Sequence, residues 1–359
     1  MLRTARFLSA FLRGPTELLE EEVEVPVGDT TIPATRLRPR STKELPGWVV
    51  LHGLTVPGRD HAVLQRFARA LAASGGVVLL PEIRAWCELR VAAGVAEETI
   101  AASARYLAGV EGVRGGGVGV VGFSFGATQA LTTAARAELD AHIRSVVAFG
   151  GYCDPERTFV FMMTGEHEWG GVRYKVDPDP YGRWILVGNY LTDVPGYEGM
   201  QDVATEALRL AADAGARGIY AADAIYDPLK VAARARLTPP EQEVWDLVAP
   251  IAGAARDLDR ARELARQLAR VGIQRDPELD PRSSLPHLGG RVVLAHGRED
   301  RLIPFTEALR IRDLIPANTE VHLAITRLFA HSAGANGLPL HQYPTEVMRY
   351  FRLLREALR

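Results

Sequence analysis

The stretch Val118-Gly119-Val120-Val121-Gly122-Phe123-Ser124-Phe125-Gly126 constrains this chain more than any other. Its first half is a short apolar run rich in β-branched residues, the pattern of a strand buried on both faces of a sheet. Ala127 to Leu131 then reads as the start of a helix. Between them, Gly122-x-Ser124-x-Gly126 marks a sharp strand-to-helix turn, where a serine must accept strained backbone angles. Glycines two before and two after it give neighbouring backbone room to pass closely. Such a turn lifts the hydroxyl clear of the sheet, where a base and a substrate can reach it. It also sets the N–H of Phe125 at the start of a helix, where the dipole favours developing negative charge. These properties suit a nucleophile; a serine that merely caps the helix is the plain alternative.

At 359 residues the chain can bury a large core, as one large domain or one domain with a smaller insertion. Its 42 basic and 44 acidic residues leave a net charge of −2, which gives no sign of a nucleic-acid partner. Cys87 and Cys153 make neither a disulfide framework nor a metal signature. Their scarcity points to a reducing, cytoplasmic setting, with one disulfide left open. Residues 1–20 read as an N-terminal amphipathic helix, with three arginines and no acid before Gly14. The apolar run Phe7 to Leu12 is too short for a signal-peptide core and for a bilayer span, and no other stretch reaches transmembrane length. Packing on the domain or against another subunit is the reading for this helix, so a homo-oligomer stays open. A membrane-surface or transit role is the lesser alternative.

Glu22 to Val27 alternates charged and apolar side chains, Gly28-Asp29 turns, and Thr31 to Leu37 returns, which predicts a hairpin. Strands are expected over Gly47–Leu54, ending in His52-Gly53, and over Val77–Leu80. Helices are expected over His61–Ala73, which has an apolar stripe at 63, 64, 67, 68, 70 and 71, and over Glu97–Leu107. With the strand before Ser124 and another over Ile143–Gly150, the order alternates strand and helix. That predicts a mostly parallel sheet with helices on both faces. After Tyr152 the pattern changes to an aromatic-rich segment and then helical stretches. Thr238-Pro239-Pro240-Glu241 opens one of them with a capping box and a proline in the first turn. The expected division is a sheet domain of residues 21–152 and 289–359, with a mostly helical insertion over 153–288. The sheet resumes at Arg291–Gly297, and Glu320–Ile325 is its last strand before a terminal helix.

Acyl transfer by a serine needs a base to take its proton, and the base needs a carboxylate to orient it and steady its charge. Asp300 follows the strand Arg291–Gly297, and His331 follows the last strand. Parallel strands all end on one edge of their sheet, so Ser124, Asp300 and His331 can converge there.

With these residues in this order, the chain resembles the α/β-hydrolase family over nearly all of residues 20–359. That family's order is serine, acid, histidine. Its acid turn is similar to Gly297-Arg298-Glu299-Asp300-Arg301-Leu302-Ile303-Pro304, and its oxyanion loop often begins with His-Gly, here His52-Gly53-Leu54. Many members carry a helical cap where 153–288 stands. The resemblance implies an α/β-hydrolase fold with an inserted cap, and Ser124, His331 and Asp300 as catalytic triad. It also implies the N–H groups of Leu54 and Phe125 as oxyanion hole. It places Asp300 ahead of Glu299 and Asp154 as the acid, and His331 ahead of His52, His296, His322 and His341 as the base. One departure stands out: many relatives have Asp-x-Arg-Gly-x-Gly where this chain has Glu82-Ile83-Arg84-Ala85-Trp86-Cys87.

The expected function is a serine hydrolase of the carboxylesterase kind, which cleaves a small-molecule ester or related acyl bond without a cofactor or metal. An amidase or peptidase with the same triad, or a non-catalytic binding protein on the same fold, are the alternatives.

Overall fold

The structure, a computed structural model, describes residues 1–14, 17–41, 43–218, 224–328 and 343–359. The first half of the chain builds strands β1 (Leu18–Val27), β2 (Thr30–Pro39), β3 (Gly47–Leu51), β4 (Val77–Pro81), β5 (Val118–Phe123) and β6 (Ile143–Phe149). Between them lie helices α1 (Leu2–Arg13), α2 (Ala62–Ala73), α3 (Arg84–Cys87), α4 (Ala93–Ala108) and α5 (Phe125–Ala134). After β6 come α6 (Pro155–Thr164), the short strands β7 (Glu166–Trp169) and β8 (Val172–Lys175), and α7 (Pro180–Tyr190). They are followed by α8 (Gln201–Arg217), α9 (Asp227–Arg234), α10 (Pro239–Val248) and α11 (Leu258–Arg275). The last part adds β9 (Arg291–Gly297), α12 (Thr306–Leu314), β10 (Glu320–Thr326) and α13 (Tyr343–Ala357).

Eight strands form one sheet in the order β1-β2-β4-β3-β5-β6-β9-β10. The β1–β2 and β2–β4 pairs are antiparallel, and every later neighbour is parallel. Alternation along each strand sorts its side chains to two faces. Trp48, Val50 and Val121 pack with Phe7, Phe67, Leu71 and Leu354 from α1, α2 and α13. Val49, Leu51 and Val120 pack with Ile100, Ala104 and Leu131 from α4 and α5. Continuous apolar strands are what this double cover requires, because neither face meets water.

The helix expected over 1–20 ends at Arg13, where Gly14 takes a φ of 87°, and β1 already begins at Leu18. The hairpin is longer than its alternating core, with Leu18 paired to Pro39. The capping box forms: the Glu241 carboxylate accepts the Thr238 N–H at 2.8 Å. Between β6 and β9, α6 packs on α11 and α7 on α8. The antiparallel β7–β8 hairpin within this stretch was not expected from the sequence. Its turn is Gly170-Gly171, with φ of 56° and 78°. Two consecutive positive φ values make the two-residue turn that matches the twist of a hairpin, and Gly-Gly flanked by short alternating runs is the signal for it.

Candidate active site

Ser124 sits between β5 and α5 at φ 55° and ψ −124°. An L-residue avoids this region because its Cβ crowds the backbone. The turn is held by the Ser124 N–H on the Phe149 carbonyl at 2.8 Å and the Ala127 N–H on the Ser124 carbonyl at 2.9 Å. Close approach explains the flanking glycines. A Cβ on Gly122 would stand 2.2 Å from the Gly126 carbonyl oxygen, and one on Gly126 would stand 2.3 Å from that of His52. A Cβ on Gly53 would meet the Ser124 Cβ at 3.1 Å, so the loop after β3 lies directly against the serine. The Phe125 N–H is the first of α5, where no carbonyl of the helix can accept it.

The loop after β3 is pinned from below and above. His52 is 1% exposed. Its Nδ1 lies 2.7 Å from the Gly53 carbonyl oxygen, which can only accept, so Nδ1 carries the proton. Its Nε2 accepts the Ile83 N–H at 3.1 Å. Ile83 belongs to the segment that departs from the Asp-x-Arg-Gly pattern. Trp86 of that segment packs edge-on to both His52 and Phe125 and fills the space beneath the serine turn. From above, the Tyr181 hydroxyl of α7 donates to the Leu54 carbonyl at 2.9 Å. Burial pushes that phenol's pKa up, which keeps it a donor.

His52 gives the chain a predicted acid sensitivity. Burial, with a smaller push from His61, holds its pKa down at about 4. An unfolded histidine titrates near 6.5, so between these values the unfolded state binds more protons than the folded one. The stability contribution is whole above about pH 6.5 and falls as pH drops toward 4, by about 2 kcal/mol between pH 7 and pH 5. Urea unfolding at the two pH values measures this loss, which should shrink in His52→Gln. In an NMR titration the His52 ring should keep its neutral chemical shift down to pH 5; protonation at pH 6 would overturn the assignment.

Asp300 lies just past the carboxyl end of β9, the same edge of the parallel sheet that carries Ser124 past β5. It is 2% exposed. Its Oδ1 accepts the N–H groups of Leu302 and Ile303 at 2.9 and 3.0 Å. His296 stands beside it, with Nε2 3.5 Å from Oδ2 and 2.9 Å from the Ile303 carbonyl oxygen. His296 therefore braces the acid turn from inside the sheet. Glu299 is exposed and faces Arg327 at 3.6 Å. Asp154 caps α6, accepting the Arg157 N–H at 3.2 Å. His322 lies in β10 beside Glu320, at the opposite end of the strands from Ser124. His331 and His341 lie outside the described residues.

An apolar cavity of about 70 Å³ opens at Ser124. Leu54, Phe125, Leu302 and Ile303 wall it from the sheet side. Phe159, Met162, Tyr181 and Ile185 of α6 and α7 wall it from the other. Trp184, the bulky residue that sequence alone would nominate for such a pocket, is absent from this lining. It is fully buried, donates to the Val248 carbonyl at 3.0 Å and packs on Tyr226 inside the helical layer. Sequence spacing marks α7 as apolar but does not say which of its faces meets the serine. Tyr181 and Phe159 are among the aromatics the sequence offers for a pocket, but Met162 and Ile185 were missed for this reason, and the supports His52 and Trp86 because their partners are remote in sequence.

A larger cleft of about 860 Å³ lies beside α6 and β7–β8, but it is lined by paired ions such as Arg262 with Glu166, and Ser124 is not part of its lining. Among the described residues, Glu320, His322 and Glu356 are close enough to share a metal ion. Their carboxylates already pair with Arg291, and they lie away from Ser124.

No family model matches the chain. None of the curated proteins matches it either. Solved structures do match. One is an acylaminoacyl peptidase in complex with Z-Gly-Gly-Phe-chloromethyl ketone, at 13% identity and a TM-score of 0.51, over 94% of this chain and 42% of that one. Uncomplexed acylaminoacyl peptidase from Pyrococcus horikoshii matches at 14% identity and a TM-score of 0.50, over 96% of this chain and 43% of that one. The hyperthermophilic esterase from Pyrobaculum calidifontis matches at 16% identity and a TM-score of 0.50, over 99% of this chain and 88% of that one. The chain thus spans about two-fifths of the length of the peptidases and most of the esterase's. Identities this low speak for architecture alone. With the strand order and the serine turn, they show that the chain has the α/β-hydrolase fold.

Proposed function

We propose that the chain is a serine hydrolase that cleaves a short-chain carboxylic ester, or a related acyl bond, through an acyl-enzyme. In this reading Ser124 Oγ attacks the carbonyl carbon while His331 takes its proton. The oxyanion rests on the N–H groups of Leu54 and Phe125. His331 then hands the proton to the departing alcohol as the carbon–oxygen bond breaks, and water reverses the sequence to free the acid. Asp300 orients His331. Each oxyanion donor is worth roughly 10²–10³ in turnover. Residues 153–288 act as a cap over a core of 21–152 and 289–359; they exclude water and shape the acyl pocket. One observation carries the reading: a serine held at positive φ, with a glycine loop against it, opens into a small apolar cavity. That lining favours a short acyl chain over a polar peptide.

A fluorophosphonate probe should label the protein, and p-nitrophenyl esters should turn over. Absence of labelling would favour a binding protein. Turnover of p-nitroanilides at rates like those of the esters would favour an amidase. Among esters, acetate and propionate should be preferred to octanoate. Met162→Ala or Ile185→Ala should move the optimum to longer chains, with a change of roughly 10-fold in relative kcat/KM, as expected for a methylene or two in an apolar pocket. An unchanged chain-length profile in both variants would remove the cap from the pocket.

A further inference from the structure

The loop after β3 carries a weakness that the serine itself imposes. A Cβ on Gly53 would stand 3.1 Å from the Ser124 Cβ and 3.3 Å from the Phe123 carbonyl oxygen, so glycine suits this crowded position. Glycine also leaves the peptide that follows it free to rotate. That peptide carries the Leu54 N–H, the donor assigned above to the oxyanion. Such a donor stabilises a transition state only when it is held in place beforehand. The loop therefore needs holders.

Two side chains grip Leu54 from either side. In a trans peptide the C=O and N–H of one plane point opposite ways. The His52 Nδ1–H on the Gly53 carbonyl, at 2.7 Å, thus turns the Leu54 N–H away from the His52 ring. The next peptide is held by the Tyr181 hydroxyl, which donates to the Leu54 carbonyl at 2.9 Å. His52 belongs to the loop, whereas Tyr181 comes from α7, 127 residues further along the chain. The first turn of α7 is itself fixed to the catalytic edge. The Asp179 N–H donates to the carbonyl of Arg301, the neighbour of Asp300, at 2.8 Å. Asp179 Oδ1 in turn accepts the Tyr181 N–H at 3.0 Å. Tyr181 also walls the cavity at Ser124. One residue of the helical insertion thus meets the cavity, the loop after β3 and, through Asp179, the acid turn.

We propose that Tyr181 is a positioning residue for the oxyanion hole: by fixing the Leu54 carbonyl, it holds the Leu54 N–H in place beside Ser124. The inference rests on the serine-hydrolase reading above. It gives the helical insertion a part in stabilising the transition state, beyond shaping the pocket. The hydroxyl touches no reacting atom and acts through Leu54.

The test compares the full chain as wild type, Tyr181→Phe and Asn189→Ala. Tyr181→Phe removes the hydroxyl and keeps the ring in the cavity wall. With p-nitrophenyl acetate, kcat and kcat/KM should fall together by roughly 10-fold, a part of the about 10²–10³ that loss of a whole oxyanion donor costs. A short-chain trifluoromethyl ketone, whose hemiketal with Ser124 carries an oxyanion, should lose affinity by the same factor. The matching methyl ketone, which stays a ground-state ketone, should bind as before. Asn189 sits in the last turn of α7, where its Nδ2 donates to the Leu89 carbonyl at 2.9 Å and its Oδ1 accepts the Val91 N–H at 3.1 Å. Asn189→Ala frees that contact with the sheet domain and should keep the ratio of the two affinities, which separates positioning from a loosened insertion. An unchanged ratio in Tyr181→Phe, a rise in KM without a fall in kcat, or a ratio lowered as much in Asn189→Ala would each overturn the proposal. The wild type shows which reading has failed. If it turns over the ester and prefers the trifluoromethyl ketone, and Tyr181→Phe matches it, only the role of Tyr181 falls. If the wild type does neither, the serine-hydrolase reading falls and takes the inference with it.

Discussion

Ser124→Ala is expected to abolish fluorophosphonate labelling and to lower ester kcat by roughly 10⁴-fold or more, since the other members of a triad cannot compensate for a lost nucleophile. The fold should survive, because the hydroxyl is not among the groups that hold the turn. Those are the backbone bonds to Phe149 and from Ala127. A second variant separates chemistry from architecture. Alanine keeps a Cβ at φ 55°, whereas glycine has none to strain. Ser124→Gly should therefore be more stable than Ser124→Ala by about 1 kcal/mol, measured by urea unfolding, while being equally inactive. Labelling that persists in either variant would place the nucleophile elsewhere. Equal stability of the two would contradict the strained turn but leave the chemistry standing.

Asp300→Asn is expected to lower kcat by roughly 10⁴-fold with little change in KM, because an amide neither steadies a positive imidazole nor selects its tautomer. Its fold should hold, since the Asn oxygen can still accept the Leu302 and Ile303 N–H groups that Asp300 Oδ1 now accepts. Asp300→Ala leaves those two N–H groups without their acceptor in a buried turn. It should lose about 1–3 kcal/mol of stability in addition to activity. The pair of variants distinguishes an orienting acid from a turn builder. If Asp300 served only the turn, Asn would keep near wild-type kcat and Ala alone would be impaired. Steady-state kinetics with thermal melts of both variants decide between these outcomes.

Much of the frame was legible along the chain because its causes are local. β-branched runs near 49, 78, 120 and 146 formed the parallel strands, since only continuous apolar strands suit a sheet covered on both faces. The Gly-x-Ser-x-Gly turn, the Asp154 cap and the Glu241 capping box are likewise interactions over a few residues. The β7–β8 hairpin carried its signal in Gly170-Gly171, but strands of four residues are too short for alternation to stand out.

Features that depend on meetings between distant segments were not legible. From its place beside a glycine at a strand end, His52 reads as a residue that lines the site, behind His331 as the base. Its contact with Ile83 and its burial make it a neutral brace for the loop beneath Leu54. Trp184 and Tyr181 lie three residues apart on one helix. The rotation of α7 against the sheet sends the first into the helical core and the second to the Leu54 carbonyl. Local backbone chemistry thus set the strand order's raw material and the turn that presents Ser124. Which apolar side chains bound its cavity, and which histidines are supports, follow from long-range packing, because burial and hydrogen-bond partners are properties of neighbours in space.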